Sequence, residues 1–166
     1  MKKWISIIAI MLVVVCAAGC IDSSPKTYTG NGLSFQYPAD WSSYESDLQK
    51  SMGSSGDVLV SLGKGDEGVF VAKMNLGTAQ VSASEFADAF KSSASSGRLT
   101  FVSEKTVTVD GSTGYEKVFK YTENSTQLYA SCTFVKNNGT IYMILIGTPN
   151  NDQETVDMIL NSFKFT

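Results

Sequence analysis

Histidine is absent from the 166 residues of this sequence. Its absence excludes the Ser-His-Asp and Cys-His catalytic arrangements and the zinc sites that depend on histidine. Ser61 and Lys64 have the Ser-x-x-Lys spacing of penicillin-binding enzymes, but Ser23 and Lys26 repeat that spacing and the companion motifs are missing. The sequence therefore predicts no catalytic residue, no cofactor and no metal, and a Ser/Lys-type hydrolase is the last of the alternatives.

Cysteine is scarce as well, with three residues in the chain. Cys16 and Cys20 lie in the first twenty residues, so Cys132 alone belongs to the remainder and an internal disulfide framework is excluded. Cys132 alternates with Ala130 and Phe134, which is the pattern of an inward-facing strand residue. We therefore expect Cys132 to be a core residue and not a reactive thiol.

Basic side chains are fewer than acidic ones. Residues 1–19 contain two lysines and no acidic residue, so the rest of the chain carries 11 basic and 16 acidic side chains and a net charge of −5. Proteins that bind nucleic acid gather basic residues against the phosphate backbone. The composition therefore predicts that nucleic acid is not a partner.

The N-terminus has the features of an export signal. Two lysines precede an apolar run over residues 4–18 that only Ser6 interrupts. The segment ends in Ala-Ala-Gly-Cys, which resembles the lipobox of bacterial lipoproteins and places Cys20 at the processing site. We predict a signal peptide over residues 1–19 and lipid on Cys20, with several acyl chains because a single chain binds a membrane only weakly.

An uncleaved anchor helix is the alternative for this segment. Residues 4–21 are almost uniformly apolar and approach the roughly 20 residues that a bilayer crossing requires. In both cases residues 20–27 form a short linker that keeps the domain, residues 28–166, close to the bilayer. The predicted location is the outer face of the cell membrane.

Alternation of apolar and polar residues predicts strands along most of the domain. Residues 33–37 form the first strand, which Pro38 ends. Three hairpins follow, pairing residues 58–62 with 70–76, 99–109 with 114–122, and 127–135 with 140–147. We expect a largely antiparallel sheet of about six to seven strands.

Two segments have helical signals. Ser82 and Glu85 stand at capping-box spacing and begin a helix that stops before Gly97. Its predicted buried stripe consists of Phe86, Ala89, Phe90 and Ser93. The second helix opens at Asn151-Asp152, and its apolar positions are Val156, Ile159, Leu160 and Phe163.

The strand over residues 141–146 is apolar at every position, so both of its faces must be covered. We therefore predict an α+β fold in which helices flank a mainly antiparallel sheet on both faces.

Residues 32–38 read Gly-Leu-Ser-Phe-Gln-Tyr-Pro and are followed by Trp41. This segment resembles the opening strand of PsbP-like domains, and the order of the later elements is similar over roughly residues 27–165. The resemblance implies an antiparallel sheet sandwiched by helices and a non-catalytic role in binding or stabilising larger assemblies. The best-known member is an extrinsic subunit of photosystem II, but the histidine-dependent ion sites described for relatives have no counterpart here.

Four residues are candidates for roles at the protein surface. Trp41 and Tyr44 form an aromatic pair suited to anchoring a partner, with core packing as the alternative for Trp41. Asn124 and Asn138 begin glycosylation sequons, with simple turn residues as the alternative.

Three functions remain at this point. The first is a membrane-anchored binding or assembly module for an envelope protein complex. The second is a receptor for a small ligand or an ion, using a pocket between sheet and helix. Asp57, Asp66 and Glu67 are acidic residues of the kind that bind a hard cation, but they lack calcium-loop spacing and a solvated surface turn is the preferred interpretation. The third is the Ser/Lys-type hydrolase named above.

Overall fold

The computed structural model describes residues 24–43, 55–77, 80–95, 99–123 and 126–166. Within these ranges the chain forms ten strands and two helices. They are β1 (Lys26–Gly30), β2 (Leu33–Tyr37), β3 (Ser42–Ser43), β4 (Gly56–Lys64), β5 (Glu67–Met74), α1 (Ala83–Ala94), β6 (Leu99–Val109), β7 (Ser112–Glu123), β8 (Thr126–Asn137), β9 (Thr140–Pro149), α2 (Gln153–Ser162) and β10 (Lys164–Phe165). β1 begins within the segment that the sequence assigns to the linker.

Seven strands form one antiparallel sheet in the order β3-β4-β5-β9-β8-β7-β6. The pairs β4–β5, β6–β7 and β8–β9 confirm the three predicted hairpins. The turns at Asp110-Gly111 and Asn138-Gly139 have positive φ at both positions, the type I′ geometry that two-residue hairpins favour. Local turn chemistry therefore accounts for most of the order of this sheet.

A second, smaller sheet has the order β1-β2-β10. Its last strand brings the C-terminus beside β2, where the Thr166 N–H donates to the Gly32 carbonyl at 2.9 Å. The Asn31 amide donates to the Leu59 carbonyl at 2.5 Å and so connects the β1–β2 turn to β4. Sequence patterns missed β1 and β10, because β1 is polar and mostly exposed and β10 has only two residues.

α1 begins at the predicted capping box. The Glu85 N–H donates to Ser82 Oγ at 3.1 Å, and the Ser82 N–H donates back to the Glu85 carboxylate at 2.8 Å. These reciprocal hydrogen bonds satisfy backbone donors that have no partner inside the helix. The helix ends at Ala94, before Gly97 as predicted.

The buried stripe of α1 differs in part from the prediction. Ala83 and Ala87 are buried and the two phenylalanines are partly buried, whereas Ala89 and Ser93 are exposed. Alanine side chains at 83 and 87 let the helix lie close to the strands β6, β7 and β8 that it contacts. Small residues occur on both sides of this helix, so periodicity alone placed the centre of the stripe wrongly.

α2 confirms its predicted apolar face, since Val156, Ile159, Leu160 and Phe163 are all buried. The helix packs on β2, where the Phe163 ring stacks on Phe35 with centroids 5.4 Å apart. The same core cluster continues into residues of β4, β5 and β9 in the large sheet. α2 and the small sheet therefore share one apolar core with one face of the large sheet.

The expectation of helices flanking the sheet on both faces needs correction. The described part of the chain is dominated by sheet and contains two helices, and the small sheet supplies much of the cover over one face through Leu33 and Phe35. The apolar strand over residues 141–146 required cover on both faces, and its pattern does not specify whether a helix or a strand provides it. The predicted largely antiparallel sheet and the two predicted helices are confirmed.

Replacing Phe163 with Ala tests how strongly α2 is held. We expect Phe163→Ala to lower the free energy of unfolding by about 3–5 kcal/mol, because the ring is fully buried against Phe35. Urea denaturation measures the change. Val102→Ala is the control, since Val102 is 45% exposed and its truncation should change stability by less than about 0.5 kcal/mol. Equal effects of the two substitutions would contradict the role of Phe163.

Candidate functional site

A groove runs between α1 and the β6–β7 hairpin. It consists of two adjoining cavities of about 340 and 560 Å³ that share Ser84 and Tyr115 in their walls. The smaller cavity is also lined by Asp88, Glu104 and Lys117. The larger one extends along the first turn of α1 towards the β6–β7 turn. We call the two cavities together the α1 groove.

Four charged side chains connect α1 with the hairpin at this groove. Lys117 Nζ lies 2.7 Å from Asp88 Oδ1 and 2.7 Å from Glu104 Oε2. Lys91 Nζ lies 2.9 Å from the same Glu104 oxygen and 3.7 Å from the centroid of the Phe101 ring. Asp88 and Lys91 belong to α1, Glu104 to β6 and Lys117 to β7. The network therefore joins three elements.

The pKa values follow from these contacts. Hydrogen bonds from Lys117 and Lys91 lower the pKa of Glu104 from its ordinary 4.5 to about 2. Burial acts to lower the pKa of Lys117, but hydrogen bonds to Asp88 and Glu104 outweigh it and the pKa is raised. The Lys117 side chain is only 8% exposed, so its ammonium depends on both carboxylates for stabilisation.

A second charged centre lies on the other face of the hairpin. The Glu116 side chain is fully buried, and Ser131 Oγ donates to its Oε1 at 2.7 Å. Lys105 Nζ lies 3.2 Å from Oε2 without hydrogen-bond geometry, and 3.9 Å from Asp157 of α2. The Lys105 ammonium therefore balances the charge of the buried Glu116 carboxylate, and it also lies near the Asp157 carboxylate of α2.

Both charged centres arise from the register of the hairpin. Glu104 pairs with Lys117, and Lys105 pairs with Glu116. Opposite charges at facing positions stabilise a pair of strands. Because successive side chains on a strand point to opposite faces, one of these charged pairs lies on each face of the hairpin. Sequence patterns do not single out these residues, although the two-residue turn at Asp110-Gly111 is enough to align them.

The groove presents hydroxyl, carboxylate and ammonium groups, and its principal charges are already paired. Across the described ranges, no three Asp, Glu or Cys side chains come together as a metal site, and this includes Asp57, Asp66 and Glu67. The arrangement is suited to contact with polar, uncharged groups, because an added charge would disturb a balanced network.

A family profile for PsbP-like proteins matches residues 5–165. The chain belongs to the PsbP-like family. This result confirms the resemblance seen in the sequence. No curated protein matches the sequence.

Two solved structures of similar fold cover nearly all of this PsbP-like chain. Cyanobacterial PsbP (CyanoP) from Synechocystis is 18% identical with a TM-score of 0.61, over 90% of this chain and 97% of that one. LpqN, involved in cell envelope biogenesis of Mycobacterium tuberculosis, is 11% identical with a TM-score of 0.52, over 93% and 96% of the two chains. At these identities the similarity is one of fold.

Ser61 and Lys64 do not meet in this PsbP-like protein. Residues three apart on a strand point to opposite faces, and both belong to β4. Ser61 is buried, whereas Lys64 is exposed and its Nζ lies 2.7 Å from Asp40 Oδ2. Lys64 therefore cannot act as a base for Ser61 in this arrangement.

Cys132 is a core residue, as predicted. It is 1% exposed, and burial raises the pKa of its thiol to about 12. The thiolate needed for nucleophilic chemistry is therefore strongly disfavoured at neutral pH.

Trp41 is not an exposed partner surface. It is 2% exposed and packs in the core that contains Leu33 and Phe35. The Trp41 backbone N–H donates to the Pro38 carbonyl at 3.1 Å, so a turn after β2 directs the ring inward. The packing alternative is therefore the one observed, and Tyr44 lies outside the described residues.

The remaining predicted sites are placed only in part. Cys20 and the segment that holds the signal peptide or anchor lie outside the described residues, as does Asn124. Asn138 is exposed in the β8–β9 turn with φ of 47°. Neither described helix is long and apolar enough to cross a membrane.

Glu104→Gln tests the electrostatic role of the network. Because the folded-state pKa of Glu104 is depressed, its contribution to stability is complete above pH 4.5 and is lost as the pH falls towards 2. We expect the variant to be less stable at neutral pH and to lose less stability between pH 4.5 and 2 than the unaltered protein. Urea denaturation across this pH range measures both effects.

The matched control for Glu104→Gln is Asp57→Asn, which removes an exposed carboxylate outside the network. Parallel pH profiles for the unaltered protein and Glu104→Gln would show that the network does not stabilise the fold.

Proposed function

We propose that this chain is a non-enzymatic, extracytoplasmic module that is held at the outer face of the cell membrane through Cys20. It docks on an envelope protein complex or assists in its assembly. The observation that carries the proposal is the PsbP-like family match over residues 5–165, because members of this family are generally non-catalytic. The association of LpqN with cell envelope biogenesis supports the envelope location.

The chemistry of the described side chains supports a binding role over a catalytic one. Ser61 and Lys64 point to opposite faces of β4, and Cys132 is a buried thiol. Lys117 is held between two carboxylates. Each of these groups is placed for packing or ion pairing, not for attack on a substrate.

A receptor for a small polar ligand is the second candidate. The α1 groove supports it, since its two cavities of about 340 and 560 Å³ adjoin each other and both have Ser84 and Tyr115 in their walls. Tyr115, which borders both cavities, is the side chain best placed to contact such a ligand.

Identification of the N-terminal peptide of the membrane-bound protein tests whether Cys20 carries the lipid anchor. We expect the mature chain to begin at Cys20 and to be heavier by the mass of its acyl chains, because stable anchoring requires more than one. Mass spectrometry of the protein purified from its own membrane measures this. A peptide that begins before residue 20 would contradict lipidation and would indicate the uncleaved anchor.

Cross-linking in the native membrane tests the binding role. We expect the full chain to form a reproducible product with an envelope protein, identified by mass spectrometry after affinity recovery. The matched control carries residues 1–27 of this chain on an unrelated globular domain and should give no such product. This control separates binding by the domain from simple proximity at the membrane.

Absence of any product beyond the control would contradict the assembly role and favour the ligand receptor. In that case a thermal-shift screen should find a polar compound that raises the melting temperature, since a ligand that binds only the folded state stabilises it. The shift should disappear in Tyr115→Ala.

A further inference from the structure

Asn138 is a surface residue that the proposed function leaves unused. With Gly139 and Thr140 it forms the sequence Asn-x-Thr, in which x is not proline, and this is the acceptor pattern for an N-linked glycan. The pattern has a meaning only in a protein that leaves the cytoplasm. The proposed extracytoplasmic location meets that condition, so the position of Asn138 in the fold decides whether the pattern can be used.

The geometry of the turn explains two of the three residues of this pattern. Asn137 pairs with Thr140 and closes the β8–β9 hairpin, and the two central residues, Asn138 and Gly139, have φ of 47° and 80°. Asparagine and glycine are the residues that most readily adopt such angles. The turn requires no hydroxyl at position 140, so turn geometry by itself does not account for the complete pattern.

The Asn138 amide differs from that of Asn31, which has the same place in the β1–β2 turn. Asn31 also has positive φ and also precedes a glycine. Its Nδ2 donates to the Leu59 carbonyl at 2.5 Å and to the Tyr28 hydroxyl at 3.1 Å. Asn138 is exposed, and its amide has no hydrogen-bond partner among the described residues. The Asn138 Nδ2 is therefore available for reaction.

The tip of the β8–β9 hairpin extends beyond both neighbouring strands. Within the described ranges, the pairing of β7 with β8 stops at Gly114 and Val135, and that of β5 with β9 stops at Lys73 and Tyr142. Residues 136–141 continue past these positions and pair only with one another. A bulky group at the tip therefore displaces neither neighbouring strand.

The hairpin tip and the β4–β5 turn lie at opposite ends of the sheet. Gly68, which follows that turn, pairs with Gly147 near the end of β9, whereas the hairpin tip precedes Thr140 at the start of β9. At about 3.4 Å per residue, Thr140 and Gly147 are about 24 Å apart. Asn138 is therefore well separated from the β4–β5 turn.

The chain enters the domain at the end that holds the β4–β5 turn. Lys26, the first residue of β1, pairs with Tyr37, the last residue of β2. Asp40 follows shortly after, and its Oδ2 lies 2.7 Å from Nζ of Lys64, the last residue of β4. The proposed tether over residues 20–27 therefore leaves one end of the domain, and the Asn138 turn lies at the other.

We propose that Asn138 is glycosylated, with an oligosaccharide linked to its Nδ2 at the end of the domain opposite to the tether. The donor is a lipid-linked oligosaccharide phosphate. In the transfer, the bond from the anomeric carbon to the donor's phosphate oxygen breaks and a bond from that carbon to Nδ2 forms. One amide proton passes to a base of the transferase, and the lipid phosphate leaves. The proposal rests on the extracytoplasmic location above.

Mass spectrometry of peptides from the full chain, recovered from its own membrane, tests the proposal. We expect the peptide that contains Asn138 to carry the additional mass of an oligosaccharide. Fragmentation of this peptide identifies the residue to which the sugar is attached.

Two substitutions of Thr140 test whether the complete pattern is recognised. Thr140→Ala should abolish the additional mass, because the hydroxyl is lost while Asn138 stays in place. Thr140→Ser keeps a hydroxyl and is the matched control, in which the modification should persist. Melting temperatures of both variants show whether they are folded.

An unmodified Asn138 in the membrane-bound, unaltered protein would overturn the glycan proposal and leave the proposed function standing, whether or not Thr140→Ala folds. An oligosaccharide that persists in Thr140→Ala, or one found only at Asn124, would overturn it as well. Recovery of the protein from the cytoplasm alone, with Asn138 unmodified, would overturn both the glycan and the extracytoplasmic location.

Discussion

The two-residue turn at Asp110-Gly111 is the constraint on which the charged part of the structure depends. Positive φ at both positions produces a tight hairpin, and a tight hairpin allows one register. That register sets Glu104 opposite Lys117 and Lys105 opposite Glu116. One pair then ties the hairpin to α1, and the other neutralises a carboxylate buried on the α2 side. A turn with one more residue would separate all four charges.

The same turn also holds the end of the chain. Asp110 accepts hydrogen bonds from the Phe165 N–H and from Lys164 Nζ, both at 3.0 Å, and these contacts keep the pKa of its carboxyl below the usual range. They fix β10 beside β2, next to the stacked rings of Phe163 and Phe35. The small sheet and α2 can therefore close over one face of the large sheet as a single unit.

Prediction from the sequence succeeded where neighbouring residues carry the information. The three hairpins, the capping box of α1 and the apolar face of α2 were all found in this way. The stripe of α1 was wrong at Ala89 and Ser93, because small residues give periodicity little to distinguish. The site was missed for a different reason, since Glu104 and Lys117 are 13 positions apart and become neighbours only when the register is applied.

The sequence by itself determined the turns, most strands, both helices and the PsbP-like order of elements, because hydrogen bonds and backbone angles within a few residues govern them. Tertiary structure decided which element covers each face, the inward position of Trp41 and the separation of Ser61 from Lys64. It also joined α1 to the hairpin, with a groove between them beside β6, which pairs only with β7 in the part of the chain that the structure describes. These features depend on which apolar surfaces, far apart in the sequence, pack together and exclude water. Local sequence patterns do not specify that choice.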